Sequence, residues 1–284
     1  MSTGREPLTY VYAVARRTDR LAVLLAGLRG IDRAPVTLLT EASDSSPAPL
    51  AFVTSHVPHE AFNESALRAH FEDLEWLEGV ARAHHEVVQA VAAEQTVLPL
   101  RMATVYQDDD RARQALGEQR STFARRMAAV DAHTEYGVKI YLPPPAPAEP
   151  PPGAPAAEAD PAAPTASPGK AYLQRRRVQH RARERTYEQA QRAAATLDAI
   201  AARYAVGRVR HAPQSGALTG PQENVLNDAY LVPDEEARDF RAAVAQAAGD
   251  FPEIRIEITG PWAPYSFAMP PAESSAPTEG ERAP

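Results

Sequence analysis

The sequence predicts an α+β protein of two domains, and three observations carry that prediction. Runs of aromatic and β-branched residues alternate with helically spaced apolar stripes along most of the chain. A stretch from Pro143 to Pro168 holds 11 prolines and no large apolar residue. Around that stretch the order strand, helix, strand, strand, helix, strand can be read, which is the ferredoxin-like order. With 284 residues the chain is long enough for two domains with ordinary cores.

Residues 1–8 are expected to be disordered. TYVYAVA, Thr9 to Ala15, is rich in aromatic and β-branched residues and reads as a strand. TDRLAVLLAGL has helical spacing, a Thr18 cap and Gly27 near its end. VTLLTE and LAFVTSH read as short strands separated by the turn-like SDSSPAP. A helical region follows from about Asn63 to Gln95, broken near Asp73. Its second part sets Leu77, Val80, Ala81, His84, Val87, Val88 and Val91 on one side, as a buried stripe requires. TVLPLRMATVY reads as one strand, with Pro99 marking an edge or a bulge. Asp108 to Asp110 can cap a further helix, whose stripe is Leu116, Phe123, Met127 and Val130. These elements make a first α+β domain, residues 9–133.

The second domain, residues 134–268, opens with YGVKIYL, where Val138, Ile140 and Leu142 alternate with Lys139 and Tyr141. The proline-rich stretch, 143–168, is then an insertion after the first strand. It cannot bury enough apolar surface to offset the entropy of ordering, so it is expected to be disordered, as is the tail 269–284. A long helix from Gly169 to Tyr204 follows, then the strands VGRVRHA and NVLNDAYLV. DEEARDFRAAVAQAAG is a helix with acidic residues in its first turn, and EIRIEI is the last strand. Beyond it, TGPWAPYSF packs three aromatics and two prolines into Thr259–Phe267. Gly260-Pro261 is expected to turn the chain there, and Trp262 to fold back across the domain's own edge, with the junction between the two domains as one place for it.

The chemistry expected is sparse. The chain has no cysteine, which excludes disulfides and thiolate zinc sites. No apolar run approaches the roughly 20 residues of a membrane span. The opening residues lack a secretory pattern, so a cytoplasmic protein is expected. A net charge of −7 argues against a general nucleic-acid binder. His84-His85-Glu86 begins like a zincin helix, but Gln89 stands where the second histidine is required, and His84 fits a core position. Asp108 to Asp110 lack the spacing of a calcium loop and suit a helix N-terminus. No nucleophile elbow, phosphate loop or dinucleotide fingerprint appears. No catalytic, metal or cofactor residue is assigned. The densest charge cluster is Arg175-Arg176-Arg177, with Arg181, Arg183 and Arg185 beyond. It reads either as a docking surface for an acidic partner or as a solvated helix face.

Several segments taken together resemble the gas vesicle protein L/F family: YVYAV, RAHHEVVQAV running into TVLPLRMATVY, YGVKIY, GKAYLQRRR, NVLNDAYLV and TGPWAPYSF. They occur in order from about Tyr10 to Phe267, and GKAYLQRRR with TGPWAPYSF is the distinctive pair. The sequence departs from the pattern at Met102-Ala103, where such proteins tend to carry a bulkier aromatic followed by glycine, and in its long insertion. The resemblance implies a non-enzymatic component of gas vesicles, the protein shells that give some prokaryotic cells buoyancy. It implies a two-domain α+β form, a role in vesicle assembly, a cytoplasmic site beside the vesicles, and contact with the small hydrophobic major shell protein and other gas vesicle proteins. Candidate partner-binding residues are Arg175, Arg176, Arg177, Trp262 and Tyr265. The alternative from another class is a ligand-binding regulator, since ferredoxin-like domains often bind small molecules.

Overall fold

The computed structural model describes residues 6–41, 48–144, 168–215 and 220–268, with the backbone alone for 168–172 and 175. Of the segments expected to be disordered, residues 1–5, most of the proline-rich insertion and the tail from 269 lie outside the described residues, whereas Leu8 is buried and opens the first strand. Two compact units form. The first takes residues up to Glu135 together with Pro261 onward, and the second takes Tyr136 to Gly260.

In the first unit, β1 (Leu8–Arg16) is the central strand of a five-stranded sheet. Eight of its nine residues are buried, which explains why the run carries no polar alternation. The helix α1 (Asp19–Gly27) starts at Thr18, whose Oγ1 accepts from the Leu21 amide at 3.1 Å. Then come β2 (Thr37–Thr40), β3 (Leu50–Val57), α2 (His59–Phe62), α3 (Glu64–His70), α4 (Leu74–Ala92), β4 (Val97–Pro99), β5 (Val105–Tyr106), α5 (Asp109–Glu118) and α6 (Arg120–Val130). The sheet order is β2-β3-β1-β4, with β5 also pairing β1. β1 and β3 are antiparallel, Leu8 opposite Val57 and Arg16 opposite Leu50, with a register shift between Val11 and Ala13.

Two buried tyrosines dictate local detail. The Tyr12 hydroxyl bonds Ser55 and accepts the Ile31 amide at 2.9 Å. A Cβ at residue 30 would lie 2.0 Å from that hydroxyl, so only glycine fits there. The Tyr10 hydroxyl accepts the Ala103 amide at 3.0 Å, and this splits the single strand expected over Thr96–Tyr106. The chain leaves β4, lays a turn over the hydroxyl, and returns as β5. Ala103 holds a left-handed φ of 63° in that turn. The single helix expected after Asp110 is likewise two, because Gln119 leaves helical geometry at φ −102°, ψ 6°.

The second unit contains β6 (His133–Leu142), α7 (Pro168–Tyr204), β7 (Gly207–Arg210), β8 (Glu223–Pro233), α8 (Ala237–Asp250) and β9 (Arg255–Trp262). Its four strands lie in the order β7-β8-β6-β9. Val138, Ile140 and Leu142 pack with Leu197 of α7 and with Phe240 and Val244 of α8, as their alternation requires. Ile256 and Ile258 pack against the same core. At the far edge, buried Asp228 pairs with Arg208 and receives a hydrogen bond from the Tyr230 hydroxyl at 3.3 Å.

The end of the chain corrects the sequence reading twice. No turn occurs at Gly260-Pro261; β9 runs on to Trp262, with Gly260 at φ 114°. From Pro261 onward, including α9 (Tyr265–Ala268), the chain belongs to the first unit and not to the second. Its side chains find their partners there.

A left-handed alanine is strained by about 1–2 kcal/mol, and Ala103 holds such a conformation. Ala103→Gly is expected to raise stability by roughly 0.5–1 kcal/mol once the added freedom of the unfolded chain is subtracted. Urea denaturation of the two proteins checks this.

Candidate functional site

The helix α4 begins at Asp73, whose carboxylate accepts the Glu75 and Trp76 amides, both at 3.1 Å. Val80, His84, Val87, Val88 and Val91 of the expected stripe are buried, whereas Leu77 is half-buried near the helix start and Ala81, at the margin of the stripe, is exposed. His84 is buried, with Nδ1 2.9 Å from the Tyr10 hydroxyl and its ring among Tyr10, Tyr12 and Tyr265. The Tyr10 hydroxyl thus links the Ala103 amide to the His84 ring. Burial, aided by the nearby charge of His85, pushes the His84 pKa down to about 4 against the pull of the Leu100 carbonyl. The histidine is therefore neutral at pH 7 and part of the core. Among the described residues no three His, Asp or Glu side chains group to hold a metal ion.

The outer side of α4 receives the chain from Pro261 onward, the last two residues of β9 included. Gln89 Nε2 donates to the Pro261 carbonyl at 3.3 Å, and its Oε1 accepts the Ala263 amide at 2.9 Å. Glu135 accepts the Ser266 amide at 2.8 Å and the Ser266 hydroxyl at 2.7 Å. Arg126 donates to the Ala268 carbonyl at 3.1 Å. Trp262 meets the His85 ring edge-on at 5.3 Å, and Tyr265 stacks on the same ring at 6.0 Å. Burial pushes the Glu135 pKa up, while its two bonds from Ser266 hold it back. The aromatic rings at the end of the chain thus pack on the protein's own first unit. Trp262 is still 37% exposed, so it packs on the protein without being sealed in its core. The sequence reading weighed Gln89 only as a missing histidine and passed over Glu135; neither carries a local motif that would reveal a partner more than 100 residues away.

Asp108 to Asp110 are likewise structural. Asp108 caps the Arg111 amide, Asp109 accepts from Thr9 at 2.7 Å and lies 3.0 Å from His56, and Asp110 pairs with Arg113. Burial works to raise the Asp109 pKa, but the bonds from Thr9 and His56 and the charges of His56 and Arg113 outweigh it and hold it low.

The arginine cluster belongs to the second unit. The second half of α7 is anchored by Ala190, Ala193, Leu197 and Ala201. The first half stands exposed, from Leu173 to Arg185, at every residue whose side chain is described. Beside it runs a groove of about 520 Å³, lined by the apolar Leu142, Pro143, Pro144, Val178 and Ala182 together with Arg176, Gln179, His180, Arg183 and Thr186. Arg183 is fixed by Glu223 at 2.7 Å and lies over the Tyr187 ring. Arg176 makes no ion pair among the described residues. Arg177 is exposed but does not line the groove, since one helical step of about 100° turns it away. The side chain of Arg175 is outside the described residues. Of the candidate residues whose side chains are described, then, Arg176 alone lines the groove, while Trp262 and Tyr265 belong to the other unit.

Residues 8–269 match the family described as gas vesicle synthesis protein GvpL/GvpF. The gas vesicle protein L of Streptomyces sp. (strain CB03234) is 40% identical over 269 residues, 94% of each chain. Gas vesicle protein F of the same organism is 28% identical over 264 residues, 91% of this chain and 98% of that one. Among solved structures, the gas vesicle protein GvpF from Anabaena sp. PCC7120 superposes with a TM-score of 0.58 at 18% identity, covering 93% of this chain and 96% of that one. GvpF from Microcystis aeruginosa gives 0.58 and 18%, covering 92% and 99%. At that identity the structural likeness speaks for a shared α+β fold with two antiparallel sheets.

The His84 pKa sets a pH response. Between pH 6.5 and about 4 the unfolded histidine takes up a proton that the folded one refuses, so stability falls as pH falls through that window. The loss attributable to His84 is about 3 kcal/mol. His84→Gln is expected to be less stable than the parent at pH 7, with the gap narrowing by about that amount at pH 4. Paired urea melts at the two pH values check it.

Proposed function

The chain belongs to the gas vesicle synthesis protein GvpL/GvpF family, and on that premise we propose that it supports vesicle assembly by binding the major shell protein along the groove of α7. Family membership places the chain in gas vesicle biology, among proteins not known for catalysis; the shell-protein contact is the further step. One observation carries it. The groove sets apolar lining residues, Leu142, Pro143, Pro144, Val178 and Ala182, beside Arg176, a cation that makes no ion pair among the described residues, on a helix whose far half is locked into a core. A hydrophobic subunit held before insertion into a wall needs such a surface: apolar contact for affinity, and charge to orient the approach. Arg175 adds sequence charge beside Arg176, and the exposed edge of Trp262 offers a lesser contact in the other unit.

In this reading the second unit is a ferredoxin-like domain carrying the proline-rich insertion after its first strand. The order of its strands, fourth-first-third-second by position in the unit, supports that assignment. No described helix is long and apolar enough to cross a membrane, and the proposal places the chain in the cytoplasm beside growing vesicles.

The test is binding to purified major shell protein. Arg176→Glu with Val178→Asp, both on exposed helix surface, is expected to leave the melt unchanged and weaken binding about tenfold or more. Binding by the parent is expected to weaken with salt. A double variant that binds as the parent does would overturn the groove assignment.

A further inference from the structure

We propose that the outward ridge of α7 docks on the acidic elbow between α3 and α4 of a second copy of this chain, so that copies associate head to tail. The ridge arginines, Arg177, Arg181 and Arg185, lie off the groove, and Val178 alone borders both surfaces. Leu173, Arg177, Arg181 and Arg185 follow one another at four-residue steps, a single row about 18 Å long on the helix surface. All four are exposed, and Val178 lies beside the row at 60% exposure. Arg177, Arg181 and Arg185 make no ion pair among the described residues. Nothing described in the chain covers this face.

The complementary surface lies in the first unit. Where α3 ends and α4 begins, the five residues Phe71 to Glu75 are all exposed. Phe71 is 51% and Leu74 is 79% exposed, an unusual outlay of large apolar side chains for a surface turn. Carboxylates flank them along the chain, of which Glu64 is paired with Arg68 and Glu78 with Arg82. From Glu60 to Glu78 the chain carries Glu60, Glu64, Glu72, Asp73, Glu75 and Glu78 against Arg68 alone. From Leu173 to Arg185 it carries six arginines against Glu184 alone. Each surface thus presents two large apolar side chains within a field of one sign, and the signs are opposite. Apolar anchors inside a charged rim are the anatomy of a protein–protein contact, and opposite fields steer such surfaces together. The two patches differ, so the contact is heterologous: each copy offers its ridge to one neighbour and its elbow to another.

Sedimentation analysis of the full chain, with no other protein present, tests this. At about 50 mM salt the mass is expected to rise with concentration, and to return to that of the monomer near 500 mM, where charge is screened within about 4–5 Å. Two charge reversals are then made: Arg177, Arg181 and Arg185 to Glu in one variant, and Glu72 and Glu75 to Arg in the other. Circular dichroism confirms that both remain folded. Each alone is expected to stay monomeric at low salt, because its two surfaces carry the same sign. An equimolar mixture is expected to recover the parental association, because each variant's altered surface then faces an opposite one. A parent that is monomeric at every concentration, single variants that associate as the parent does, or a mixture that stays monomeric would each overturn the proposal.

Discussion

The first unit depends on a segment that arrives last. The chain leaves it at Glu135 and re-enters at Pro261, and the carboxylate at the exit holds Ser266 by two hydrogen bonds. Closing so long an excursion would cost several kcal/mol of loop entropy if its ends were free. The second unit removes most of that cost, because its first and last strands, β6 and β9, are neighbours in one sheet. The end of β9 is therefore delivered beside the start of β6. Gln89 and Arg126 then fasten the returning backbone through its carbonyl and amide groups, whatever the side chains on it. TGPWAPYSF is in this account a latch, its prolines fixing the path and its rings covering His85.

The same economy governs α7. Half of the helix is core, through Ala190, Ala193, Leu197 and Ala201, and that half sets the position and rotation of the other. The exposed half can therefore offer two faces of fixed phase, the groove with Arg176 and the ridge with Arg177, Arg181 and Arg185. A site on a regular element anchored in this way needs little reorganisation to bind.

Periodicity made much of this legible. The stripe of α4 placed His84 in the core, and the alternation in β6 and β9 placed Val138, Ile140, Ile256 and Ile258 correctly. The gas vesicle family was also readable, from segments spread over the chain. What escaped were features set by distant polar atoms. The break between β4 and β5 exists because the Tyr10 hydroxyl accepts an amide 93 residues away. The roles of Gln89 and Glu135 depend on backbone groups that no local pattern announces. The arginine cluster was visible as charge, but helical phase divides it between two faces, and charge counting along the sequence cannot express that.

The most direct measurement on the latch compares thermal denaturation of two shortened chains, one ending at Met269 and one at Gly260. The shorter lacks the latch alone. Loss of its partly buried rings and its bonds to Gln89 and Glu135 is expected to cost about 3 kcal/mol or more and to lower the melting temperature of the first unit by roughly 10 °C. Equal melting temperatures for the two chains would contradict the account.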